Sequence, residues 1–394
     1  MTIIIGAGTA GLMAAAHQKG KVILLEKGEK LGKKLSISGG GRCNVTNRKP
    51  IEEFIKNIPG NGRFLHSAFS KFDNEDIINF FENLGIKLKE EDNGRMFPVS
   101  NRAYDVVNSL VRLIEKKGVE IKKNCPVNKI IFENSKVTGV LLINGEILSA
   151  NKVIVAVGGK SVPETGSTGD GYIWAEEAGH TITEIFPTEV PIKSNDKFIK
   201  EKILMGLSLK DVSLKVMDGK KVVANHVMDV VFTHFGISGP AALRCSQFVL
   251  KIMKKRKIDK VTMVLDVFPN LNEDELTNKI EKIMDKTNKK PQNALKSLAP
   301  ERFLQFIIEE GDSSRKIAEK LKKFTFTANG TLPIEKSFIT GGGVSVKEIN
   351  PSTMESKLIK GLYFCGEILD IHGYTGGYNI TAALVTGKIA ATSD

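Results

Sequence analysis

The feature that most constrains this chain is a glycine-rich turn between a strand and a helix, close to the N-terminus. Residues Thr2–Ile5 form an apolar run typical of a short buried strand, and the turn Gly6-Ala7-Gly8-Thr9-Ala10-Gly11 follows at once. Residues 12–19 have a helical pattern, and a second apolar strand, Val22–Leu25, ends at the acidic Glu26. This order of elements is typical of the βαβ unit that binds dinucleotides.

Each conspicuous residue of this unit has a physical reason. Gly6 permits the tight turn, Gly8 lets the backbone approach a pyrophosphate, and Gly11 lets the helix pack closely on the strand. The N-terminus of the helix offers unpaired N–H donors and the positive end of a dipole, both of which suit phosphate. Glu26 can accept hydrogen bonds from a ribose diol. The sequence therefore predicts a bound nucleotide rather than a glycine turn without a ligand.

The position and number of such turns favour FAD over a nicotinamide cofactor. The turn begins almost at the N-terminus, as is common in FAD-binding domains, and no second turn with its own strand, helix and acid follows. Gly341-Gly342-Gly343 precedes no helix of that kind. We therefore expect one tightly bound dinucleotide, and NADH or NADPH only as a transient electron donor.

The rest of the chain indicates a discontinuous fold. We predict an FAD-binding domain from residues 1–186 and 333–394, a mainly β, barrel-like insert at 187–268, and a helical part at 269–332. Residues 32–47 are rich in glycine and polar residues, which predicts a loop.

Positive charge is concentrated in the middle of the chain. The net charge is +12, and residues 187–332 carry 27 Lys and Arg against 18 Asp and Glu, whereas the remaining 248 residues carry 30 against 27. Such an excess favours a polyanionic partner, although a lysine-rich surface that is merely solvated gives the same pattern. The densest cluster is Lys254-Lys255-Arg256-Lys257.

Other classes of protein are disfavoured. No apolar run reaches the about 18 residues of a membrane span, and we expect neither a signal peptide nor a membrane partner. The four cysteines, Cys43, Cys125, Cys245 and Cys365, show no paired spacing. They predict no metal site and no redox dithiol, and they fit the reducing cytoplasm.

Four long motifs, spread over the whole chain, resemble those of the YhiN-like flavoproteins, a family often described as NAD(P)/FAD-dependent or aminoacetone oxidase family enzymes. They comprise Gly32–Asn47; Gly158–Ser161 with Thr165–Gly171; Phe232–Pro240; and Phe364–Glu367 continuing through Leu369-Asp370 to Gly376–Asn379. The resemblance implies an α/β fold with a Rossmann-like FAD-binding domain of the glutathione-reductase type, and an insert with a β-barrel part and a helical part.

The resemblance and the glycine turn together give a set of expected FAD contacts. These are Gly6, Gly8, Ala10, Gly11, Glu26, Lys27, Ser38, Gly39, Gly40, Gly41, Arg42, Asn44, Val127, Gly158, Gly159, Gly366, Glu367, Asp370, Gly376, Gly377, Asn379 and Ile380. Gly376-Gly377, just before the last helix, can direct N–H groups at the pyrimidine edge of the flavin.

The family likeness suggests two substrates. One is uridine in large-subunit ribosomal RNA, which would be reduced to dihydrouridine; the other is a small amine such as aminoacetone, which would be oxidised. The basic insert favours the RNA, because a small aminoketone is itself cationic. A flavin-bound protein without turnover is the third alternative.

In the RNA interpretation, residues 187–332 bind RNA, with Lys254, Lys255, Arg256 and Lys257 as candidate contacts, and a uridine leaves its stack to meet the flavin. Cys43 and His234 are the candidate acids that protonate the base, although a buried structural cysteine and a hydrogen-bonding histidine are both commoner. Arg42 can stabilise charge at the flavin or hold a phosphate, and it can equally form a structural salt bridge.

Overall fold

The structure is a computed structural model that describes residues 1–393. The chain divides into two compact units: the first unit, Met1–Phe186 with Ile339–Asp394, and the second unit, Pro187–Phe338.

Within residues 1–393, the helices are α1 Thr9–His17, α2 Lys33–Gly41, α3 Ile51–Lys56, α4 His66–Phe69, α5 Asn74–Asn83, α6 Ala103–Lys116, α7 Asp170–Glu177, α8 Lys197–Lys200, α9 Pro240–Arg256, α10 Glu273–Met284, α11 Pro291–Ala294, α12 Glu301–Ile307, α13 Ser314–Lys322 and α14 Tyr378–Thr392.

The strands of the same residues are β1 Thr2–Ile5, β2 Val22–Leu25, β3 Thr46–Asn47, β4 Leu88–Glu91, β5 Arg95–Pro98, β6 Glu120–Lys122, β7 Val127–Glu133, β8 Lys136–Leu142, β9 Ile147–Ser149, β10 Lys152–Val155, β11 Phe186–Thr188, β12 Ile192–Lys193, β13 Ser208–Asp218, β14 Lys221–Phe232, β15 Gly236–Ser238, β16 Val261–Asp266, β17 Phe324–Ala328, β18 Ile339–Gly341 and β19 Leu362–Phe364.

The first unit is built on a parallel sheet of five strands in the order β19-β10-β1-β2-β6. β1 lies at its centre and pairs with β2 and β10, for example through Ile4 with Leu24 and Ile154. All residues of β1 and β2 are buried, as expected for parallel strands that are covered on both faces. The α/β fold with a Rossmann-like sheet is therefore confirmed.

Helices α1 and α14 pack against each other, and α14 ends near Lys152 at the start of β10. A Cβ added to Gly387 of α14 would lie 2.3 Å from the carbonyl oxygen of Ala10, so only glycine permits this approach. The last helix described is thereby fixed against the first glycine turn, although Ala10 and Gly387 lie 377 positions apart in the sequence.

The second unit contains a six-stranded sheet in the order β12-β15-β14-β13-β16-β17, and all neighbouring pairs are antiparallel. The sheet closes on itself after β17. The Asn329 N–H donates to the Lys193 carbonyl at 2.8 Å, and the Lys193 N–H donates to the Gly330 carbonyl at 2.9 Å. The result is a closed barrel, with α9 lying against β13 and β14.

The prediction that residues 269–332 are helical is wrong for their last part. Helices α10 to α13 occupy most of the segment, but β17 follows them and pairs with β16, for example Phe326 with Met263. The alternation Phe324-Thr325-Phe326-Thr327 has the period of a strand, and Phe326 is buried in the core of the unit. A strand that returns after four helices is not apparent from local sequence alone.

Among residues 1–393, no helix combines the length and the apolar composition that a membrane span requires. In the same part of the chain, no group of three or more His, Cys, Asp or Glu side chains is placed to hold a metal ion.

Candidate functional site

The glycine turn after β1 has the geometry that close packing demands. Gly6 has φ +95°, and a Cβ added to it would lie 2.7 Å from the Ala156 carbonyl oxygen. A Cβ on Gly11 would lie only 1.8 Å from the Gly6 carbonyl oxygen, whereas a Cβ on Gly8 would have no heavy atom within 4 Å. Gly6 and Gly11 therefore serve the packing of the protein, and Gly8 leaves open space beside the N-terminus of α1. No side chain caps that N-terminus.

Glu26 closes this part of the site at the end of β2. Its Oε2 accepts a hydrogen bond from the Ala7 N–H at 2.9 Å, and its Oε1 accepts one from the Gly28 N–H at 2.8 Å. Each carboxylate oxygen keeps a further lone pair. The carboxylate is thus held rigidly next to the glycine turn and can still accept hydrogen bonds from a diol.

Lys27 connects β2 to α7. Its Nζ donates to Thr168 Oγ1 at 2.5 Å and pairs with Asp170 Oδ2 at 2.6 Å. The lysine was expected to contact FAD; the structure shows that its ammonium is used within the protein, where it orders the loop before α7.

A network of polar side chains, centred on Glu367, contacts the loop that starts at Gly158. The Glu367 carboxylate accepts hydrogen bonds from Lys34 Nζ at 2.8 Å, Ser161 Oγ at 2.9 Å and the Thr340 N–H at 2.7 Å. Burial raises the pKa of Glu367, but Lys34 and these donors outweigh it and hold the pKa below its usual range. The Glu367 side chain is therefore an anchor for three segments.

The same network leaves no room for a side chain at position 159, because a Cβ added to Gly159 would lie 2.3 Å from Thr340 Oγ1. At Gly158, with φ +76°, the nearest atom to such a Cβ is Ser167 Oγ at 3.1 Å. The Gly366 N–H is already bonded to Thr386 Oγ1 at 2.9 Å, and an added Cβ would lie 2.8 Å from the Ala10 Cβ. Any contact of these glycines with a cofactor remains a prediction.

The prediction of a loop over residues 32–47 is wrong at both ends, where helix α2 and the short strand β3 lie. α2 begins at Lys33, because Leu35 is buried and gives one turn of helix an apolar anchor. The helix geometry then breaks at Ser38, and Gly39 and Gly40 take left-handed backbone angles. Added Cβ atoms on Gly40 and Gly41 would have no neighbour within 4 Å, so this glycine segment is open on one side.

Arg42 is engaged in a structural salt bridge. Its guanidinium pairs with Glu91, donates to Asn101 Oδ1 at 2.8 and 3.0 Å, and stacks over the Phe97 ring at 4.2 Å. Of the roles considered for Arg42, the structure therefore favours the structural salt bridge.

Cys43 and Asn44 follow with different environments. Cys43 has φ +60° and is fully buried, and burial raises the pKa of its thiol to about 12 although a hydrogen bond with Ser38 lowers it. Asn44 is also buried, and its Oδ1 has no hydrogen-bond partner among residues 1–393. That oxygen lies 3.1 Å from the place where a Gly377 Cβ would be.

The loop before α14 is held by Asn379. Its Oδ1 accepts from the Gly373 N–H at 2.7 Å, and its Nδ2 donates to the carbonyls of Gly373 at 2.9 Å and Tyr374 at 3.1 Å. Gly377 has φ +98°, no side chain caps α14, and an added Cβ would lie 2.7 Å from the Thr46 carbonyl oxygen. The side chain of Asn379 thus shapes the loop.

The remaining predicted contacts lie around these segments. Val127 is buried at the start of β7, Ile380 is half-buried in the first turn of α14, and Asp370 follows the Gly366–Ile368 turn. An added Cβ at Gly376 would meet the Tyr378 ring at 2.9 Å.

Sequence reasoning missed Tyr172, in the first turn of α7. Its side chain is buried, and its hydroxyl has no hydrogen-bond partner within the described residues. Burial raises the pKa of Tyr172, and the charges of Glu367 and Asp370 raise it further. The only local signal was its position directly after the motif Thr165–Gly171.

These observations test whether the first unit suits FAD. The open space at Gly8, Gly40 and Gly41 admits a ligand next to the backbone, and the unpartnered Asn44 Oδ1 and Tyr172 hydroxyl are buried polar groups that a ligand can satisfy. Uncapped N-termini of α1 and α14 supply N–H donors. The residues present therefore fit a dinucleotide with both phosphate and amide-like groups.

His234 lies in the second unit, in the loop between β14 and β15, and is exposed. Its ring contacts that of Phe235 edge-on at 4.9 Å between centroids. It is therefore open to solvent, whereas Cys43 in the first unit is not. The structure does not group the two predicted acids in one unit.

The predicted basic cluster ends α9. Lys254, Lys255, Arg256 and Lys257 are all exposed. Arg256 pairs with Asp218 at the end of β13 at 3.0 Å, and Arg256, followed by Lys255 and Lys221, lowers the pKa of that carboxyl. The end of α9 and the turn between β13 and β14 thus form one basic surface.

Relatives of known activity share the whole length of the chain. It is 33% identical to the ribosomal RNA dihydrouridine synthase of Haemophilus influenzae, covering 99% of this chain and 97% of the relative. It is 28% identical to the 3-dehydro-bile acid delta(4,6)-reductase of Clostridium scindens, covering 98% and 97%.

Solved structures show the same fold at low identity. The 3-ketosteroid delta1-dehydrogenase of Sterolibacterium denitrificans, in complex with 1,4-androstadiene-3,17-dione, superposes with a TM-score of 0.52 at 12% identity, covering 99% of this chain and 98% of that one. The family described as HI0933-like protein Rossmann domain matches residues 1–393. The predicted resemblance is thereby confirmed: the chain belongs to the HI0933-like Rossmann family and is an FAD-dependent oxidoreductase.

Proposed function

We propose that this enzyme reduces uridine to dihydrouridine in large-subunit ribosomal RNA, with NADH or NADPH as the electron donor, and that it acts in the cytoplasm. The observation that carries the proposal is the concentration of positive charge in the second unit, in a chain 33% identical to a ribosomal RNA dihydrouridine synthase. Phosphate neutralisation requires Lys and Arg at many points, whereas a steroid or an aminoketone requires none.

The first unit would hold the cofactor. The N-terminus of α1 and Gly8 suit its pyrophosphate, Glu26 its ribose, and Asn44 with the N-terminus of α14 a group that both donates and accepts hydrogen bonds. When bound, FAD supplies the hydride that reduces the pyrimidine ring. The polar network around Glu367 keeps the supporting loops in place.

The chain must also supply a proton to the reduced base. We assign this role to His234 rather than to Cys43, because His234 is exposed, whereas the Cys43 thiol is fully buried. Histidine is also the side chain that most often serves as a general acid in enzymes.

The basic surface would position the RNA. Lys255 and Lys257, with Lys220 and Lys221 from the neighbouring turn, are exposed lysines that can each meet a backbone phosphate. Arg256 is neutralised by Asp218, so it orders the surface more than it adds charge.

An anaerobic stopped-flow experiment tests the function. The FAD-loaded enzyme is reduced with NADH and then mixed with unmodified ribosomal RNA transcript or with buffer alone, while the flavin absorbance is followed. We expect reoxidation only with the RNA, together with dihydrouridine in the product. Absence of both would contradict the proposal, and bleaching of the oxidised enzyme by aminoacetone would instead support an amine oxidase.

His234→Ala and Cys43→Ala separate the two acids in the same assay. We expect His234→Ala to reduce dihydrouridine formation by about 10²- to 10⁴-fold while NADH still reduces the flavin. A normal rate in His234→Ala, or an equally large loss in Cys43→Ala with full FAD content, would reject the assignment.

A further inference from the structure

An aromatic and apolar surface of the first unit has no role in the site described above. Tyr104 is 60% exposed, and Ile37 and Val99 are each 53% exposed. Arg102, two positions before Tyr104, is also exposed and forms no ion pair within residues 1–393. These four residues are the Tyr104 surface.

The packing of α2 against α6 brings these residues together. At the start of α2, a Cβ on Gly32 would lie 2.7 Å from Val107 Cγ1 of α6. Beyond its end, Arg42 Nε donates to Asn101 Oδ1 at 3.0 Å, just before α6 begins. The two segments therefore run antiparallel, and Ile37 falls between these two contacts on one segment as Tyr104 does on the other.

The chemistry of this surface suits unpaired nucleobases. An exposed tyrosine ring stacks on a base of any sequence, and a guanidinium plane such as that of Arg102 adds both stacking and charge. Two carboxylates of the preceding segment are already paired: Glu91 with Arg42 and Lys89, and Asp92 with Arg95. At the start of α6 the half-buried Asp105 is matched by the exposed Arg102, so the surface carries no net negative charge that would repel an RNA backbone.

The position of the surface links it to the reaction. α2 ends in the open glycines Gly40 and Gly41, and Asn44, which would face the cofactor, follows three positions after Gly41. A uridine that meets the cofactor brings its neighbours in the strand to within a few nucleotides of this segment. The second unit contains no tyrosine or tryptophan, and Phe338 at its end is an exposed aromatic residue of that unit.

We propose that the Tyr104 surface binds the unpaired nucleotides next to the target uridine, with Tyr104 stacking on a base and Arg102 contacting the backbone. This inference rests on the proposed function. It divides RNA binding between phosphate contacts on the second unit and base stacking on the first.

The test measures RNA binding and reaction separately in the full-length, FAD-loaded enzyme. Fluorescence anisotropy with a labelled ribosomal RNA hairpin gives Kd, and quantification of dihydrouridine gives kcat and KM. The variants are Tyr104→Ala, Tyr104→Phe and Arg102→Ala. Ile147→Ala is the matched control, because Ile147 is 61% exposed on β9 of the same unit.

We expect Tyr104→Ala to raise Kd and KM about tenfold and Tyr104→Phe to retain wild-type values, since the ring and not the hydroxyl stacks. Arg102→Ala should raise Kd about threefold, more at low salt. Unchanged Kd in Tyr104→Ala, or an equal effect of Ile147→Ala, would overturn the inference. A wild type that binds RNA but forms no dihydrouridine would reject the proposed function alone, because the anisotropy comparison would still test the surface.

Discussion

The two units encode their roles in different ways. In the first unit, single glycines have no room for a side chain: an added Cβ would lie 1.8 Å from a carbonyl oxygen at Gly11 and 2.3 Å from Thr340 Oγ1 at Gly159. In the second unit, exposed lysines on a closed barrel carry charge that no single residue supplies. A side chain added at such a glycine either fits or forces the backbone to move, so one substitution can abolish folding or cofactor binding. Removing one of many exposed lysines changes the total charge only slightly, so it should weaken RNA binding only in part.

The largest effect is expected at Gly11. Gly11→Ala places a methyl group against the Gly6 carbonyl, so the turn or α1 must shift, which costs about 3 kcal/mol or more, at or above the upper end of ordinary overpacking. We expect little FAD-loaded, folded protein, measured as FAD content per chain and as Tm. Gly8→Ala is the matched variant: its methyl has open space, so Tm of the FAD-free protein should persist while FAD affinity falls. Normal FAD content in Gly11→Ala would break the comparison.

The pH dependence of stability reports on each unit through one histidine. Burial lowers the pKa of His17 in the first unit to about 4. In the second unit, burial together with the charge of Arg244 lowers the pKa of His226 to about 4. An unfolded histidine titrates near 6.5, so as the pH falls the unfolded state takes up the proton first. The contribution of each buried, neutral histidine to the free energy of unfolding is complete above about pH 6.5. It is lost progressively towards pH 4, by up to about 3 kcal/mol for each histidine.

Urea unfolding at pH 7 and pH 4.5 measures this loss in wild type, His17→Phe and His226→Phe. Each variant should lose less stability on acidification than wild type. His66→Phe is the control, because His66 is exposed on α4. If His66→Phe flattened the pH dependence as much as the other two, burial would not be its cause.

The same contrast explains what the sequence could predict. The turn Gly6–Gly11 and Glu26 were predictable because steric and hydrogen-bonding needs act within one βαβ unit. The network of Lys34, Ser161, Thr340 and Glu367 was not, because its members are distant in sequence and meet only through the fold.

Strand β17 and helix α2 show two further limits. Phe324–Ala328 pairs with a strand on the other side of four helices, so the helical surroundings outweighed a short alternating pattern. The start of α2 is stabilised by the burial of Leu35. The glycine-rich composition of the segment predicted a loop instead, because it gave no sign of that burial. Tertiary context decided both.

A smaller effect is expected at Tyr172. Tyr172→Phe removes a buried hydroxyl that has no protein partner within residues 1–393, so its loss should leave Tm of the FAD-free protein unchanged. If the hydroxyl bonds to FAD, the Kd for FAD should rise two- to tenfold, corresponding to about 0.5–1.5 kcal/mol. Titration with FAD monitored by flavin fluorescence measures this, and Tyr104→Phe, which removes an exposed hydroxyl, is the control. Equal Kd values in wild type and Tyr172→Phe would exclude the contact.

The smallest effect is expected at a single lysine of the second unit. Lys255→Ala removes one of several exposed charges at the end of α9, so RNA binding should weaken only a few-fold at physiological salt. The slope of log K against log salt should fall by about one, because one counterion fewer is released. Lys56→Ala provides the comparison, since Lys56 also ends a helix, α3, but lies in the first unit. A loss of more than about 100-fold in Lys255→Ala would show that the basic surface depends on one residue, and the contrast between a steric cofactor site and a graded RNA surface would then be wrong.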